Sequence, residues 1–374
     1  MNMTVKPPFD LHSRHTRKVL VFISLLIIVI LVSSLFICTF VNSSRGSSLE
    51  NAVHVKTETE LKNAINNTPD GKPTTIAIDN DITLTTYNEK NHTYNYYVAT
   101  LAIPAYKDIT LTSNKVNGFY KLISAVNTVD TIIIGAGGVL RLDGVIVTHK
   151  SGVFGRGIHI MRDGCLYLYS GEISGNTVDE LLSGGGVANG GTFIMSGGKI
   201  TGNSADFFGG GVLNDCTFVM SGGAISGNTV GNGGGVYNSY YGKFTMSGGE
   251  ISGNTATYQG GGVYLDEYTE FTMSGGEISG NTATYQGGGV YSPSYSNGPV
   301  FNRQGGVISG NTASEGSDVY PDSSKGGSDG GFSLKDIVIT CVIATVVTIC
   351  FVLVVLHSSS KKKNRTSREK NLML

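Results

Sequence analysis

Apolar and polar residues alternate in short stretches along the middle of the chain. In stretches such as FTM at residues 244–246, a phenylalanine and a methionine stand two positions apart, with a polar residue between them. A period of two is typical of a β-strand that buries one face. The segment 244–264 reads FTMSGGEISGNTATYQGGGVY, and the segment 271–291 repeats it without a change. The pattern therefore predicts a tandem β-repeat whose copies bury the same kinds of side chain.

The repeat extends well beyond these two identical copies. Its isoleucine recurs at intervals of 27, 25, 26, 27 and 30 residues, whereas the residue before it varies and is expected to face water. One copy has room for two or three short strands but is too small to bury a core alone. Stacked copies would place like side chains on one another at the ~4.8 Å strand spacing, so we expect one continuous core. The recurring isoleucines are Ile173, Ile200, Ile225, Ile251, Ile278 and Ile308.

Upstream of residue 165 the sequence of the repeat changes, but apolar stretches recur at a similar spacing. Apolar alternation begins at Ile82, Ile109, Val139 and Leu166, at intervals of 27, 30 and 27 residues. Counting both sets predicts an all-β parallel β-helix, or solenoid, of about nine coils. We expect it to occupy residues 50–320, with clear repeats over 165–320.

A short amphipathic helix is expected before the first coil. Leu61 and Ile65 stand at helical spacing within residues 57–67, and Thr57 or Thr59 is a suitable N-cap. Such a helix would cover the strand edges at the lower end of the stack, which would otherwise be unpaired.

Two long uncharged apolar segments flank the repeats, at residues 19–41 and 337–356. About 20 apolar residues suffice for a helix to cross the hydrocarbon core of a membrane, so both are predicted transmembrane helices. Basic residues precede the first and follow the second, which places both termini in the cytoplasm by the positive-inside rule. We therefore expect a cell-membrane protein with an extracellular β-helix. A signal peptide that is later removed is the alternative for residues 19–41.

The remaining segments complete this predicted domain organisation. Residues 1–18 are a basic cytoplasmic segment and residues 357–374 a basic cytoplasmic tail. Residues 321–336 are rich in glycine and serine and are expected to form a juxtamembrane linker.

The repeat wording resembles that of known surface proteins. The pairing of I-x-x-N, as in Ile173 to Asn176, with GGGV is similar to the repeats of polymorphic outer-membrane proteins, which are adhesins. A cap helix followed by β-coils of this length also resembles the right-handed parallel β-helices of the pectate-lyase-like superfamily. The resemblance implies a right-handed winding and an adhesin-like role. The chain departs from the family pattern because isoleucine replaces its phenylalanine and a predicted helix stands where an autotransporter barrel would follow.

Two polar or aromatic columns accompany the repeats. Asparagine tolerates left-handed backbone, and stacked amides can hydrogen-bond between coils, so the asparagine column is predicted to be a structural ladder. Outward tyrosines follow the recurring valine and are the best candidates for contact with a sugar or a partner, although tyrosine also simply favours strands. The asparagines are Asn176, Asn203, Asn228, Asn254, Asn281 and Asn311, and the tyrosines are Tyr237, Tyr264, Tyr291 and Tyr320.

Ionisable residues are sparse in the repeats. A β-helix enzyme that cleaves polysaccharides would need paired carboxylates or bound Ca²⁺. Neither of the two densest patches is joined by a second acidic set in an adjacent coil, so we predict no catalytic residues, no metal and no cofactor. The patches are Arg156, His159, Arg162 and Asp163, and Asp266, Glu267 and Glu270.

The cysteines outside the membrane segments are Cys165 and Cys216. Aligning CLYLYS with CTFVMS gives them the same coil position two layers apart. Two layers span ~9.6 Å, which exceeds the Cα separation of about 7 Å that a disulfide can bridge. Both are therefore predicted to be free thiols.

These patterns favour a membrane-anchored, adhesin-like protein that binds a glycan or another protein through the outer face of its β-helix. A formal net charge of −1 argues against nucleic acid as a partner, since that function needs a basic face. The alternatives are a polysaccharide lyase or hydrolase, and a passive envelope or spacer protein.

Overall fold

The computed structural model describes residues 49, 51–87, 98–113, 115, 118–178, 182–294 and 297–321. These residues form a parallel β-solenoid of about nine coils, which confirms the predicted all-β architecture. In this part of the chain no helix is long and apolar enough to cross a membrane. The predicted membrane segments at 19–41 and 337–356, the two basic ends and nearly all of the linker lie outside the described residues.

Three strand faces, named A, B and C, form the wall of the solenoid, and all of their pairings are parallel. Face A contains β1 (Val53–Val55), β2 (Pro73–Ile78), β5 (Asp108–Ser113), β8 (Val139–His149), β10 (Cys165–Ser174), β12 (Thr192–Met195), β15 (Thr217–Met220), β19 (Lys243–Met246), β23 (Glu270–Met273) and β27 (Val300–Arg303). The second halves of β8 and β10 continue into face B.

Face B also contains β3 (Ile82–Leu84), β6 (Tyr120–Ser124), β13 (Lys199–Thr201), β16 (Ala224–Ser226), β20 (Glu250–Ser252), β24 (Glu277–Ser279) and β28 (Val307–Ser309). Face C contains β4 (Ala99–Ile103), β7 (Asp130–Ile134), β9 (Ile158–Ile160), β11 (Val187–Asn189), β14 (Val212–Asn214), β18 (Val236–Asn238), β22 (Val263–Leu265), β26 (Val290–Tyr291) and β29 (Val319–Tyr320). A short sheet of β17 (Thr229–Val230), β21 (Thr255–Ala256) and β25 (Thr282–Ala283) links faces B and C.

The two identical copies stack in register, as the repeat predicted. Phe244 pairs with Phe271, and the two rings stack with centroids 4.5 Å apart and planes 5° apart. Neighbouring rings of the phenylalanine column are 4.5–5.0 Å apart along its whole length. Each layer therefore presents the same packing surface to the next layer, and a layer with the same side chains fits on it. The column contains Phe193, Phe218, Phe244, Phe271 and Phe301.

The inward positions of the three faces merge into one apolar core that runs through the described coils. Ile251 is fully buried in it, whereas its neighbour Glu250 is exposed and lies beside Glu277 of the next coil. The inward and outward faces that alternation predicted are thus confirmed.

A helix, α1 (Glu58–Asn67), packs at the start of the solenoid with Leu61 and Ile65 buried in the same core. Its N-cap is Thr57, whose hydroxyl accepts from the Glu60 amide at 3.2 Å. Glu58 accepts hydrogen bonds from the backbone amides of Thr85 and Thr86, at 2.9 and 3.1 Å. The helix is therefore fastened to the chain that follows β3.

Glycine is required where consecutive coils approach closely between the short sheet and face C. A Cβ added to Gly262, the last glycine before Val263, would lie 2.5 Å from the Gly289 carbonyl oxygen and 2.9 Å from Ile278 Cγ2. Neither neighbour can move without disturbing the next layer, so this position excludes any side chain.

The upstream rhythm was aligned wrongly. Ile82 lies on face B and pairs with Leu122, whereas Ile109 lies on face A and pairs with Thr74 and Leu140. Strands on both faces show the same apolar-polar alternation. The interval of 27 residues between Ile82 and Ile109 therefore connects residues at two different positions in the coil. Similar strands on different faces cannot be separated by alternation alone.

Replacing Ile251 with Asp is expected to lower the free energy of unfolding by about 4 kcal/mol or more, because it places an unpaired charge between apolar layers. Glu250→Lys is the matched control, since its side chain is outward and beside Glu277, and should change stability by less than about 0.5 kcal/mol. Denaturant unfolding of both variants measures the difference. Similar losses in the two variants would contradict the assignment of faces.

The docking of α1 should depend on pH through Glu58. Partial burial opposes ionisation of this carboxyl, but hydrogen bonds from Lys62, Thr85 and Thr86 outweigh it and lower its pKa to about 2. A depressed folded-state pKa stabilises the folded state fully above the ordinary value of 4.5, and this contribution disappears as the pH falls towards 2. The protection factors of the helix amides, which correct hydrogen exchange for its intrinsic pH dependence, should fall over that window.

Glu58→Gln should accelerate the same exchange already at neutral pH, because one carboxylate oxygen is replaced by an amide group that cannot accept. Glu60→Gln is the control, since a single oxygen suffices to accept from the Lys56 amide. Unchanged exchange in the Glu58 variant would show that the helix is held by its apolar face alone.

Candidate functional site

One asparagine from each repeat lies at the turn after face B, and these side chains hydrogen-bond from coil to coil. Asn254 Nδ2 donates to Asn281 Oδ1 in the next coil and to the Ile225 carbonyl in the preceding one, both at 2.9 Å. Its Oδ1 accepts from the backbone nitrogen and the Nδ2 of Asn228, at 3.0 and 2.9 Å. The same contacts join the whole buried ladder of Asn176, Asn203, Asn228, Asn254, Asn281 and Asn311.

The ladder has a direction, because in every bond between two of its asparagine side chains the Nδ2 donates towards the C-terminal end. At that end Asn311 donates from both its backbone nitrogen and its Nδ2 to Asp318 Oδ1, at 3.1 and 3.0 Å. At the opposite end Asn176 Oδ1 lies 2.8 Å from His149 Nδ1. A carboxylate thus accepts the last donors, and an imidazole meets the first acceptor.

A second, shorter amide ladder lies at the ends of three strands of face C, and the sequence analysis did not predict it. Asn189 Nδ2 donates to Asn214 Oδ1 at 2.7 Å, and Asn214 Nδ2 donates to Asn238 Oδ1 at 2.6 Å. All three side chains are fully buried. The recurring V-x-N of residues 187–189, 212–214 and 236–238 was the available signal.

The four tyrosines that were predicted to bind form one column on the outer side of face C. Successive ring centroids are 4.6, 4.9 and 5.4 Å apart, so the ring faces cover one another. Tyr237 and Tyr291 are only 6% and 5% exposed, which corrects the expectation that all four rings face solvent. Burial, and then the nearby Asp266 charge, raises the pKa of Tyr237, whose hydroxyl donates to Asp266 Oδ2 at 3.0 Å. Tyr264 and Tyr320 are half-buried.

A different set of tyrosines is open to solvent at the turn that leads from face C to face A. Tyr240, Tyr241 and Tyr268, here named the tyrosine cluster, are 48%, 61% and 39% exposed. Tyr240 packs edge-on against both other rings, while Tyr241 and Tyr268 stack with centroids 5.2 Å apart. A hydrogen bond with Tyr241 is the main cause that raises the pKa of Tyr240 to about 12.

An open groove of about 620 Å³ lies beside the tyrosine cluster. Its size falls within the range of small-ligand sites, and it combines aromatic rings with a carboxylate and an amide. The sequence held a signal for this site, because the tyrosines of YYGK and EYTE stand at the same distance before a strand of face A. The groove is lined by Tyr241, Tyr268, Thr269, Glu270, Asn297, Gly298 and Val300.

The first ionisable patch is only partly assembled. Arg156 and His159 meet Asp130, a residue that the sequence did not single out, with Nη1 and Nδ1 at 3.5 and 3.3 Å from its Oδ2. Arg162 and Asp163 are exposed at a turn instead. Nearby Asp215 is exposed to solvent as a residue, but partial desolvation of its carboxyl raises its pKa, and the Ser239 hydrogen bond and the charges of His159 and Arg156 only partly oppose this.

The second patch does not act as a unit. Asp266 accepts from Tyr237, whereas Glu270 lines the groove and lies 3.9 Å from Lys243 Nζ. Within the described ranges, no group of three or more His, Cys, Asp or Glu side chains could hold a metal ion.

Cys165 and Cys216 are free, as predicted, but their alignment was wrong by one residue. Cys165 pairs with Thr192, which pairs with Thr217, so Cys216 lies one position earlier in its coil. The serines used for alignment are not equivalent, because Leu168 and Met195 share a position.

Comparisons of the chain with protein-family models, with curated proteins and with solved structures found no match.

The direction of the ladder can be tested by two opposite exchanges of amide and carboxylate. Asn254→Asp removes the donors to Asn281 Oδ1 and Ile225 O and buries a charge beside them, so we expect a loss of about 3 kcal/mol or more. Asp318→Asn keeps an oxygen that accepts both Asn311 donors and should cost less than about 1 kcal/mol. Thermal or denaturant unfolding compares them, and equal losses would exclude a directed ladder.

Proposed function

We propose that the protein is a membrane-anchored surface protein whose β-solenoid is displayed outside the cell and binds a glycan or a protein partner. Residues 19–41 and 337–356 would anchor it, in keeping with their length, their lack of charge and their basic flanks. The right-handed winding and the adhesin-like role that the repeat wording implies belong to the same proposal.

The observation that carries the proposal is the solvent-exposed tyrosine cluster. The lumen of the described coils is filled with packed apolar side chains, so contact with a partner has to occur on the exterior. Aromatic rings with hydroxyl tips suit both sugar rings and protein surfaces, and tyrosine is enriched where proteins bind one another. The half-buried Tyr264 and Tyr320 extend this aromatic exterior along the outer side of face C. We propose that the cluster contributes more than the covered part of the column.

A polysaccharide-cleaving enzyme is the second candidate, and the cluster of Asp130, Arg156, His159 and Asp215 favours it. A carboxyl whose pKa is raised, as that of Asp215 is by partial desolvation, is suited to general acid catalysis. A passive envelope spacer is the third candidate, and it would have no need for exposed tyrosines beside a groove.

Cells that display the full chain should be retained on surfaces coated with glycans or with partner cells, and no cleaved sugar should be released. New reducing or unsaturated ends that disappear in a His159→Gln variant would support the enzyme instead. Failure to be retained on any surface would contradict the binding proposal and leave the spacer.

The membrane topology is tested separately on the same cells. Protease added from outside should cut within residues 50–320 but not within the basic tail 357–374. The mass of the mature N-terminus distinguishes a retained anchor from a removed signal peptide. Protection of residues 50–320 in intact cells would overturn surface display.

A further inference from the structure

The groove beside the tyrosine cluster has a shape that follows from the repeat register. Lys243 pairs with Glu270, and Glu270 pairs with Val300, so the residues two positions earlier share one column. These residues are Tyr241, Tyr268 and Gly298 in successive coils. The two tyrosine rings stack, but Gly298 adds no third ring. Among the residues that the structure describes, no ring therefore stacks on the side of Tyr268 that faces the next coil, and Tyr268 lines the groove there.

The backbone of the two tyrosines does not itself require a tyrosine side chain. Tyr241 and Tyr268 have φ of 65° and 58°, in the left-handed region where glycine or asparagine is the better choice. A bulky side chain held there is under local strain, and such strain collects at binding sites. An asparagine would satisfy the turn without it.

The walls of the groove offer both an apolar surface and hydrogen-bonding groups. Tyr268 and Val300 supply the apolar part, and Val300 is 60% exposed. Glu270 and Asn297 supply a carboxylate and an amide that can meet hydroxyl groups at the rim of a flat ring. A pyranose has this combination, since its C–H face is apolar and its edge carries hydroxyls.

Charge decides which class of sugar fits. Glu270 is the carboxylate in the lining of the groove, and its nearest cation is Lys243, with Nζ 3.9 Å away. Two further acids, Asp266 and Glu267, stand in the turn that carries Tyr268. Exposed carboxylates repel an acidic polymer over roughly the Debye length of ~8 Å at physiological salt. A polyuronide would therefore be disfavoured and an uncharged glycan would not.

We propose that this groove binds a pyranose ring of a neutral glycan, which stacks on Tyr268 as the third member of the Tyr241–Tyr268 stack. The inference rests on the proposed binding function and names its ligand class and its site. Glu270 and Asn297 would accept from and donate to the hydroxyls at the edge of the sugar.

The test uses the full-length protein in lipid nanodiscs, so that no detergent sugar competes. Binding is measured against a neutral mannan, a neutral glucan, polygalacturonate and a tyrosine-rich peptide. The double variant Tyr241→Asn and Tyr268→Asn removes both rings but suits the left-handed backbone, so its thermal midpoint should not fall. Its affinity for the neutral glycan should fall at least about tenfold, because the ring on which the sugar stacks is lost together with the ring behind it.

Tyr106→Asn is the matched control. This tyrosine also has positive φ, at 64°, and is 69% exposed, but it lies in an early coil away from the groove. Its variant should bind as the unaltered protein does. Replacing Gly298 with Asn offers a second check, because a side chain in the groove should weaken binding without removing a tyrosine.

The outcomes separate the two proposals. Binding of a neutral glycan that is lost in the double variant supports both. Glycan binding that is unchanged in the double variant overturns the groove and leaves the binding function. Preference for polygalacturonate, preference for the peptide, or no glycan binding overturns the neutral-sugar assignment, while retention of displayed cells on other partners would still support the broader function.

Discussion

Backbone hydrogen bonds between parallel strands of consecutive coils hold the layers of the solenoid in register, and the other features depend on this register. It sets Phe244 on Phe271 and Asn254 on Asn281 with no freedom to slip, because a shift of one residue would turn every inward side chain to water. Like side chains then meet like at a constant spacing. The stability of such an array is approximately the sum of the intrinsic stability of each repeat and the free energy of each interface between neighbouring repeats. The packing between layers therefore matters more than the side chains within a single layer.

The same register explains how much could be predicted from the sequence. Where the repeat wording is preserved, inward isoleucines such as Ile251 and outward residues such as Glu250 are identified by alternation alone. Before residue 165 alternation still marks strands, but it does not say on which face they lie, and Ile82 was placed in the wrong column for that reason. The one-residue error for Cys216 arose because a recurring serine was aligned instead of the buried residue that precedes it.

The binding surface was harder to predict than the core because exposure depends on neighbouring coils. Tyr237 and Tyr264 were rightly placed outside the lumen, yet their rings cover one another and lose most of their open area. Tyr241 and Tyr268 escaped notice because they stand in a turn, where alternation gives no information. Asp130 and Asp215 could not be joined to His159 from the sequence, since they belong to other coils and to different positions along the strand.

Asp318 at the end of the asparagine ladder has a consequence for how molecules meet. A stack of parallel strands ends in unpaired groups that invite a second chain to continue it, which is the geometry of fibril growth. At this end, however, the two amide donors of Asn311 already bond to the Asp318 carboxylate. The acceptor oxygen of an added layer would therefore meet a negative charge instead of a free N–H group. The carboxylate thus caps the amide ladder: the two donors that an added layer would use at this position are already bonded.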